Sequence, residues 1–357
     1  MSEKLLRDGD IVVREFGALR RLTLNRPKAL NAITLDMAET MTAFLREWAD
    51  DPAAGAVLID GAGDRAFAAG GDIRALYDAV KAGSGLDLPA KFWATEYRLN
   101  VTIARYPKPV IAIMDGLVMG GGVGLAAHAA HCILTDRSAV AMPEVGIGFF
   151  PDVGVSYLLT RAHWELGTYV ALTGNRLGAQ DAALCGLGNS HIPSSRLDEI
   201  PLVLADCRKR EQVAAALGPL ETPPGPGKLK KALDWIGRCF RGDTVEQIIE
   251  ALSTCDADGA REALDVMRKA SPTSLRITLR NLRDAASFTR VEQSFQQDYR
   301  IALNCVAGHD FVEGIRAAIV DKDRNPRWRP DKLEDVTAEI VAWHFRPLGP
   351  LELKFDN

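Results

Sequence analysis

The sequence predicts an α/β fold followed by a helical C-terminal region, and three observations carry that prediction. Short apolar strands alternate with helix-spaced segments over residues 1–220, the pattern of a sheet that carries ligand groups at its strand ends. Glu221-Thr-Pro-Pro-Gly-Pro-Gly227 then breaks the alternation with a run that suits neither helix nor strand. Beyond it the text turns helical, with residues such as Leu275, Leu279 and Leu282 spaced along one face. The chain is therefore read as a core (1–220), a Pro/Gly linker (221–230) and a helical region (231–357).

Taken in order, Ile11-Val12-Val13 and Leu19 to Leu24 alternate as paired strands do, across a turn at Gly17, and Asn25-Arg26-Pro27 ends the pattern. Thr34 can cap a helix whose apolar residues Leu35, Ala38, Met41, Leu45 and Trp48 fall on one face. Ala56 to Asp60 is a further strand. Gly61-Ala62-Gly63-Asp64-Arg65-Ala66 imitates the GxGxxA dinucleotide fingerprint, but Gly70-Gly71 interrupts the helix that such a motif must open, so a turn is the better reading. Helices are expected over Asp72 to Val80 and over Leu86 to Arg105, the latter with an aromatic face of Phe92, Trp93 and Tyr97. Val110 to Met114 reads as a buried strand, Asp115-Gly116 as a turn, and Gly120-Gly121-Gly122 as the lead into a helix over Val123 to Ala130. One more helix spans Tyr157 to Leu172. After the linker, Thr244-Val-Glu-Gln247 forms a capping box for Val245 to Leu252, and Ser271-Pro272 supplies a cap and a first-turn proline. Val291 to Val306, Phe311 to Val320 and Val336 to Phe345 complete the helical region.

Composition narrows the function classes. A net charge of −4 argues against a broad nucleic-acid-binding face. The six cysteines are scattered without a CxxC pair, which suits reduced thiols better than a disulfide framework or a zinc site. No apolar run reaches the roughly 18 residues of a membrane span. Met1 to Asp10 does not resemble a signal or transit peptide, and the C-terminal Lys354 to Asn357 is no peroxisomal tripeptide, so cytoplasm is the default expectation. His128 and His131 lack a third ligand, and a packed histidine is the commoner fate. The glycine-rich loop has no Lys-Ser/Thr for nucleotide phosphates, and no GxSxG elbow is present.

What remains is a combination of backbone donors and acids. Glycines just before a helix let N–H groups approach a ligand at the end where the helix dipole favours negative charge. Gly71 and Gly121 both sit in that context, and Glu144 and Asp152 follow in an apolar loop. Such a set can stabilise an oxyanion and move protons. Composition alone leaves each carboxylate equally suited to a structural role, and Glu96 is either a solvated charge or a site residue.

Leu24-Asn-Arg-Pro-Lys-Ala-Leu-Asn-Ala32, Phe67-Ala-Ala-Gly-Gly-Asp-Ile73, Met119-Gly-Gly-Gly-Val-Gly124 and Met142-Pro-Glu144 resemble the enoyl-CoA hydratase (crotonase) superfamily. Phe150-Pro-Asp-Val-Gly154, Ser271-Pro-Thr-Ser-Leu275, Gly308-His-Asp-Phe311, Glu313-Gly314, Asp321-Lys-Asp323 and Pro326-Arg-Trp328 extend the resemblance to its 3-hydroxyisobutyryl-CoA hydrolase branch. The resemblance implies a crotonase-like ββα spiral core, and an acyl-CoA thioester whose carbonyl oxygen sits between the N–H groups of Gly71 and Gly121. It places Glu96, Glu144 and Asp152 around the acyl group, and Lys28, Ala29, Leu30, Ala69, Asp72 and Ile73 along the CoA cleft. Hydratases of the superfamily use two glutamates; here the first position is Gly124, while Asp152 stands where they tend to have glycine. Gly154-Val155-Ser156 departs from the run of glycines usual in the hydrolase branch.

The expected function is hydrolysis of 3-hydroxyisobutyryl-CoA, or a similar short β-hydroxyacyl-CoA, to the free acid and CoA, as in valine degradation. An enoyl-CoA hydratase or isomerase and a non-catalytic acyl-CoA-binding protein are the alternatives. No metal or redox cofactor is expected, because CoA arrives with the substrate. Neither nucleic acid nor membrane is an expected partner, and a homo-oligomer is compatible with the resemblance.

Overall fold

A computed structural model describes residues 3–355. Met1, Ser2, Asp356 and Asn357, which the reading of the termini included, lie outside the described residues. The chain forms two compact units: residues 1–71, 95–140 and 176–227 in the first, and 72–94, 141–175 and 228–357 in the second. The Gly227/Lys228 boundary of this arrangement falls inside the 221–230 linker drawn from the sequence. The sequence division differs in treating residues 72–94 and 141–175 as core, whereas both segments fold with the C-terminal helices. A reading along the chain finds composition shifts, and no such shift marks a segment that leaves one unit and returns.

The first unit is built on strands β1 (Lys4–Arg7), β2 (Ile11–Phe16), β3 (Leu19–Leu24), β4 (Ala56–Gly61), β5 (Ala66–Ala68), β6 (Val110–Met114), β7 (Leu117–Met119), β8 (His131–Leu134), β9 (Ala139–Ala141) and β10 (Ser190–His191). Seven of them form one sheet in the order β1-β2-β3-β4-β6-β8-β10, and β5-β7-β9 form a second. The β2–β3 hairpin is antiparallel and turns at Gly17, whose φ of +58° suits glycine. From β3 onward the large sheet is parallel, so each step requires a crossover connection. One crossover is the helix Leu35–Asp50, capped by the Thr34 hydroxyl, which accepts the Met37 N–H at 3.2 Å. Its Ala38, Met41, Leu45 and Trp48 are buried as the spacing predicts, Leu35 is half-buried, and Met37 is buried beside them. At its far end Lys108 donates to the carbonyls of Trp48 and Asp51, placing a cation where the helix dipole is negative. The other face of the sheet, with Leu19, Leu58, Ile111, Ile113 and Ile133, packs on Ile200, Leu204, Val213 and Leu217. Those four come from helices Ile200–Leu204 and Arg210–Leu217, which were not foreseen from the sequence.

The second unit is mostly helical. The capping box holds: the Thr244 hydroxyl accepts the Gln247 N–H at 3.3 Å, and the Gln247 carboxamide oxygen accepts the Thr244 N–H at the same distance. Ser271 caps the helix Pro272–Ala285 by accepting the Ser274 N–H at 3.1 Å. The single helix expected over Tyr157 to Leu172 is instead two, Val155–Leu159 and Leu166–Thr173. Trp164 and Glu165 between them take φ of +60° and +57°, a left-handed turn that apolar spacing does not reveal. Among the described residues no helix is long and apolar enough to cross a membrane, and all six cysteines are free thiols.

Candidate active site

The site residues read from the sequence fall into two sets, one in each unit. In the first unit the glycine turns meet. The helix expected to start at Val123 starts at Gly121 and runs to Ala127. Glycine is a poor helix residue, so the sequence places it in the approach loop. Packing overrides that preference, because a Cβ on Gly122 would lie 2.5 Å from the Ala68 carbonyl oxygen. The consequence for chemistry is that the Gly121 N–H belongs to a first helical turn, where no intrahelical acceptor exists. The turn at Gly70-Gly71 comes alongside: a Cβ on Gly121 would sit 3.3 Å from the Gly71 nitrogen. Gly70 and Gly120, each preceding one of these donors, have φ of +103° and +49°, so glycine is required at both to turn the chain.

Glu96 completes this set. It is 2 % exposed, on the helix Asp87–Ala104, and its Oε1 lies 2.2 Å from where a Gly121 Cβ would be. A side chain at position 121 and Glu96 in this pose exclude each other. Exposed Lys28 and Ala29 and half-buried Leu30 lie on a turn tied to the Gly70-Gly71 segment, since the Ala69 N–H donates to the Leu30 carbonyl at 3.0 Å and Ile33 bridges to Gly71. Buried Asn31 fixes the same turn by donating to the carbonyls of Ala62 and Ala66. The first unit also holds a cleft of about 530 Å³ lined by Arg21, Asp60, Asp115 and Arg137. Its arginines are paired with Asp60 and Asp115, and none of Gly71, Gly121 or Glu96 lines it.

In the second unit, Glu144 opens a short 3₁₀ turn, Glu144–Ile147, directly after Pro143. Its carboxyl is buried, and Oε2 has no hydrogen-bond partner among the described residues. Burial pushes its pKa well above the ordinary glutamate value, and the nearby Asp152 charge adds to the rise. Asp152 is 5 % exposed. The apolar wall consists of Phe149, stacked on Trp93 at 5.2 Å between centroids, with Phe311 at 5.3 Å from Phe149. Phe149 also donates its N–H to the Glu144 carbonyl at 3.0 Å, which closes the turn. In this unit Asp72 caps the helix Ile73–Lys81 through the Ala75 N–H, so Asp72 and Ile73 separate by unit from Lys28, Ala29, Leu30 and Ala69.

C-terminal segments hold the Glu144 turn from behind. A Cβ on Gly314 would meet the Ile147 carbonyl oxygen at 2.2 Å, and one on Gly148 would meet the Asp310 carbonyl oxygen at 2.1 Å. Ser271 donates its N–H to the Val145 carbonyl at 3.1 Å and its hydroxyl to Asp310 at 2.6 Å. The motif glycine at 314 and the Ser271-Pro272 pair thus shape the turn that carries Glu144. Three further residues here were missed from the sequence. Val153, after Asp152, has φ of +54°, which costs a β-branched residue roughly 1–2 kcal/mol. Asp298 and Asn281 are fully buried on two helices and hydrogen-bonded to each other at 3.1 Å. An acid or amide inside a helical pattern reads as a surface residue, so no sequence signal marks them.

Among the described residues no group of three or more His, Cys, Asp or Glu side chains is placed to hold a metal ion. The arrangement offers amide donors beside a carboxyl in one unit, and a buried glutamate of raised basicity beside an aspartate in an apolar wall in the other.

Residues 19–345 match the family model described as enoyl-CoA hydratase/isomerase. The mitochondrial 3-hydroxyisobutyryl-CoA hydrolase of Rattus norvegicus is 41% identical over 353 residues, 97% of this chain and 91% of the relative. A crystal structure titled as a carnitinyl-CoA dehydratase from Mycobacterium thermoresistibile superposes with a TM-score of 0.92 at 43% identity, covering 98% of this chain and 99% of the other. Another, titled as an enoyl-CoA hydratase from Rhodobacter sphaeroides, gives 0.89 at 39% identity, covering 97% and 100%. The curated relatives from rat, mouse and human are mitochondrial, which corrects the cytoplasmic default: the polar first ten residues do not locate the chain in the cytosol. Both fold and sequence therefore establish that this chain belongs to the enoyl-CoA hydratase/isomerase family, in its 3-hydroxyisobutyryl-CoA hydrolase branch, with the crotonase-like spiral and added C-terminal helices.

Proposed function

We propose that this chain is an acyl-CoA thioester hydrolase that converts 3-hydroxyisobutyryl-CoA, or a similar short β-hydroxyacyl-CoA, to the free acid and CoA. The observation that carries the reading is near-full-length similarity to proteins named for that activity. The acid inventory supports it. Gly124, inside the helix Gly121–Ala127, offers no carboxylate, whereas buried Glu144 has Asp152 as a second acid.

In this reading the Gly71 and Gly121 N–H groups receive the thioester oxygen as it gains charge, each being worth about 10²–10³ in turnover. Glu144, its basicity raised by its apolar surroundings, either attacks the carbonyl carbon or takes the proton of the attacking water. Attack by Glu144 expels CoA thiolate and leaves a mixed anhydride; water that cleaves it at the Glu144 carbonyl puts ¹⁸O into that carboxyl, so label there after a single turnover in ¹⁸O-water identifies the covalent route. Asp152 holds the substrate hydroxyl or the water, and Glu96 is a further polar contact beside Gly121. Lys28, Ala29, Leu30, Ala69, Asp72 and Ile73 line the CoA cleft. CoA enters as part of the substrate, and the steps call on no metal or redox group.

The titles of the two solved structures favour a second reading, addition or removal of water at a short acyl-CoA. Thiol release from 3-hydroxyisobutyryl-CoA measured beside water addition to crotonyl-CoA decides between them. The expected result is release by the parent chain, slowed at least about 10²-fold but still measurable in E144Q and D152N, with CoA binding kept in both. Hydration in the absence of release ends the hydrolase reading, and unchanged release in both variants ends the assignment of the carboxylates.

A further inference from the structure

We propose that Asp298 is a positioning residue that fixes Asp152 by pinning the turn Asp152-Val153-Gly154; the inference rests on the role of Asp152 given above. The turn needs a pin. Val153 at φ +54° and Gly154 at φ +71° are consecutive left-handed residues, and a β-branched side chain keeps that conformation only where its surroundings impose it. Asp298 lies on the helix Val291–Ala307 and is 0% exposed. Its Oδ2 accepts the Gly154 N–H at 2.8 Å, and its Oδ1 accepts the Asn281 carboxamide at 3.1 Å. The Asn281 oxygen in turn accepts the Gln297 carboxamide at 2.8 Å. A chain of two amides and a carboxyl thereby joins two helices and delivers both its constraints to one peptide N–H, two residues after Asp152.

The neighbouring contacts share this direction. The buried hydroxyls of Ser156 and Ser294 pair at 2.7 Å, fastening the segment after the turn to the same helix. The arrangement also has a cost that packing alone does not explain. Burial and the charge of Asp152 both raise the pKa of Asp298, so a carboxyl is kept in an apolar place beside another acid. What it provides there is an acceptor of fixed direction for Gly154.

The full chain with 3-hydroxyisobutyryl-CoA tests this by a double-mutant cycle on thiol release. D298A is expected to lower kcat about 10- to 100-fold, within the range for leaving one buried N–H without its acceptor, with KM changed by less than about threefold. D298N, which still offers Gly154 an acceptor once the Asn281 and Gln297 amides rotate together, should stay within about fivefold of the parent chain. In the D152N background D298A should add no more than about a twofold loss, because the residue acts through Asp152. Independent, multiplying losses, or full activity in D298A, overturn the inference while leaving the role of Asp152 intact. Full activity in D152N would instead overturn the reading beneath it. If D298A does not fold, Asn281→Ala removes the amide that orients the carboxyl and carries the same cycle at smaller amplitude; multiplying losses there overturn the proposal equally.

Discussion

Replacing Glu144 by Gln should cut turnover by orders of magnitude and stabilise the protein. The carboxyl is buried, its Oε2 has no partner among the described residues, and its pKa is raised by burial and by Asp152. Ionising it in the native state therefore opposes folding. A neutral amide of the same shape removes a penalty of about 1–3 kcal/mol, the usual cost of an unsatisfied buried polar group. At about 2.1 cal/mol/K per residue of unfolding entropy, a chain of 357 residues gains roughly 1–4 °C in Tm. The sign of the pH dependence follows. Because the folded-state pKa lies above the unfolded one, the native state holds the extra proton between them, and stability of the parent chain falls as pH rises through that window. The advantage of E144Q is then complete above the folded-state pKa and fades as pH drops toward the unfolded glutamate value. Thermal melts of both chains across that range measure it, alongside thiol release, which should fall by about 10²–10⁴. An E144Q protein less stable than its parent at neutral pH, or an advantage that does not shrink in acid, refutes the account of a strained buried acid.

Three further substitutions probe the surroundings. Gly121→Ala places a Cβ 2.2 Å from Glu96 Oε1 and should cut kcat about 100-fold or more by displacing a donor; steady-state thiol release checks it, and near-parental turnover would count against the proposed oxyanion site. Gly314→Ala presses on the Ile147 carbonyl at 2.2 Å and should lower kcat/KM at least about tenfold, with a Tm loss typical of about 1–3 kcal/mol overpacking. Ser271→Ala loses a helix cap and the hydroxyl bonded to Asp310, about 2 kcal/mol in all, read as a shift in the urea midpoint at unchanged slope.

Much of the scaffold was legible because local chemistry and tertiary structure agree. Thr34, the Thr244/Gln247 box and Ser271 mark helix starts by satisfying orphan N–H groups, and each does so here. Gly120 to Gly122 show where agreement stops. Propensity reads them as loop, but the Ala68 carbonyl lies too close for a side chain at position 122, and the helix begins among the glycines. Trp164 and Glu165 break a helix whose apolar spacing continues without interruption. In the candidate site, glycine context names Gly71 and Gly121 and the family resemblance adds Glu96; the Gly71 nitrogen and the Glu96 carboxyl both lie beside position 121. Asp298 was not named, since nothing in a helical pattern distinguishes a buried aspartate from a solvated one. The grouping of residues 141–175 with residues 228–357 was equally invisible, for contact between distant segments leaves no compositional trace.

The Pro/Gly run at Glu221–Gly227 invites an engineer to cut there and keep the front of the chain as a minimal catalyst. Such a fragment would carry Glu144 on a bare turn, stripped of Gly314, Asp310 and the Ser271 cap that brace it. Phe149 would lose Phe311 to water as well. The tempting cleavage point is thus a poor place to shorten this protein, and expression of residues 1–227 should give insoluble material rather than a smaller enzyme.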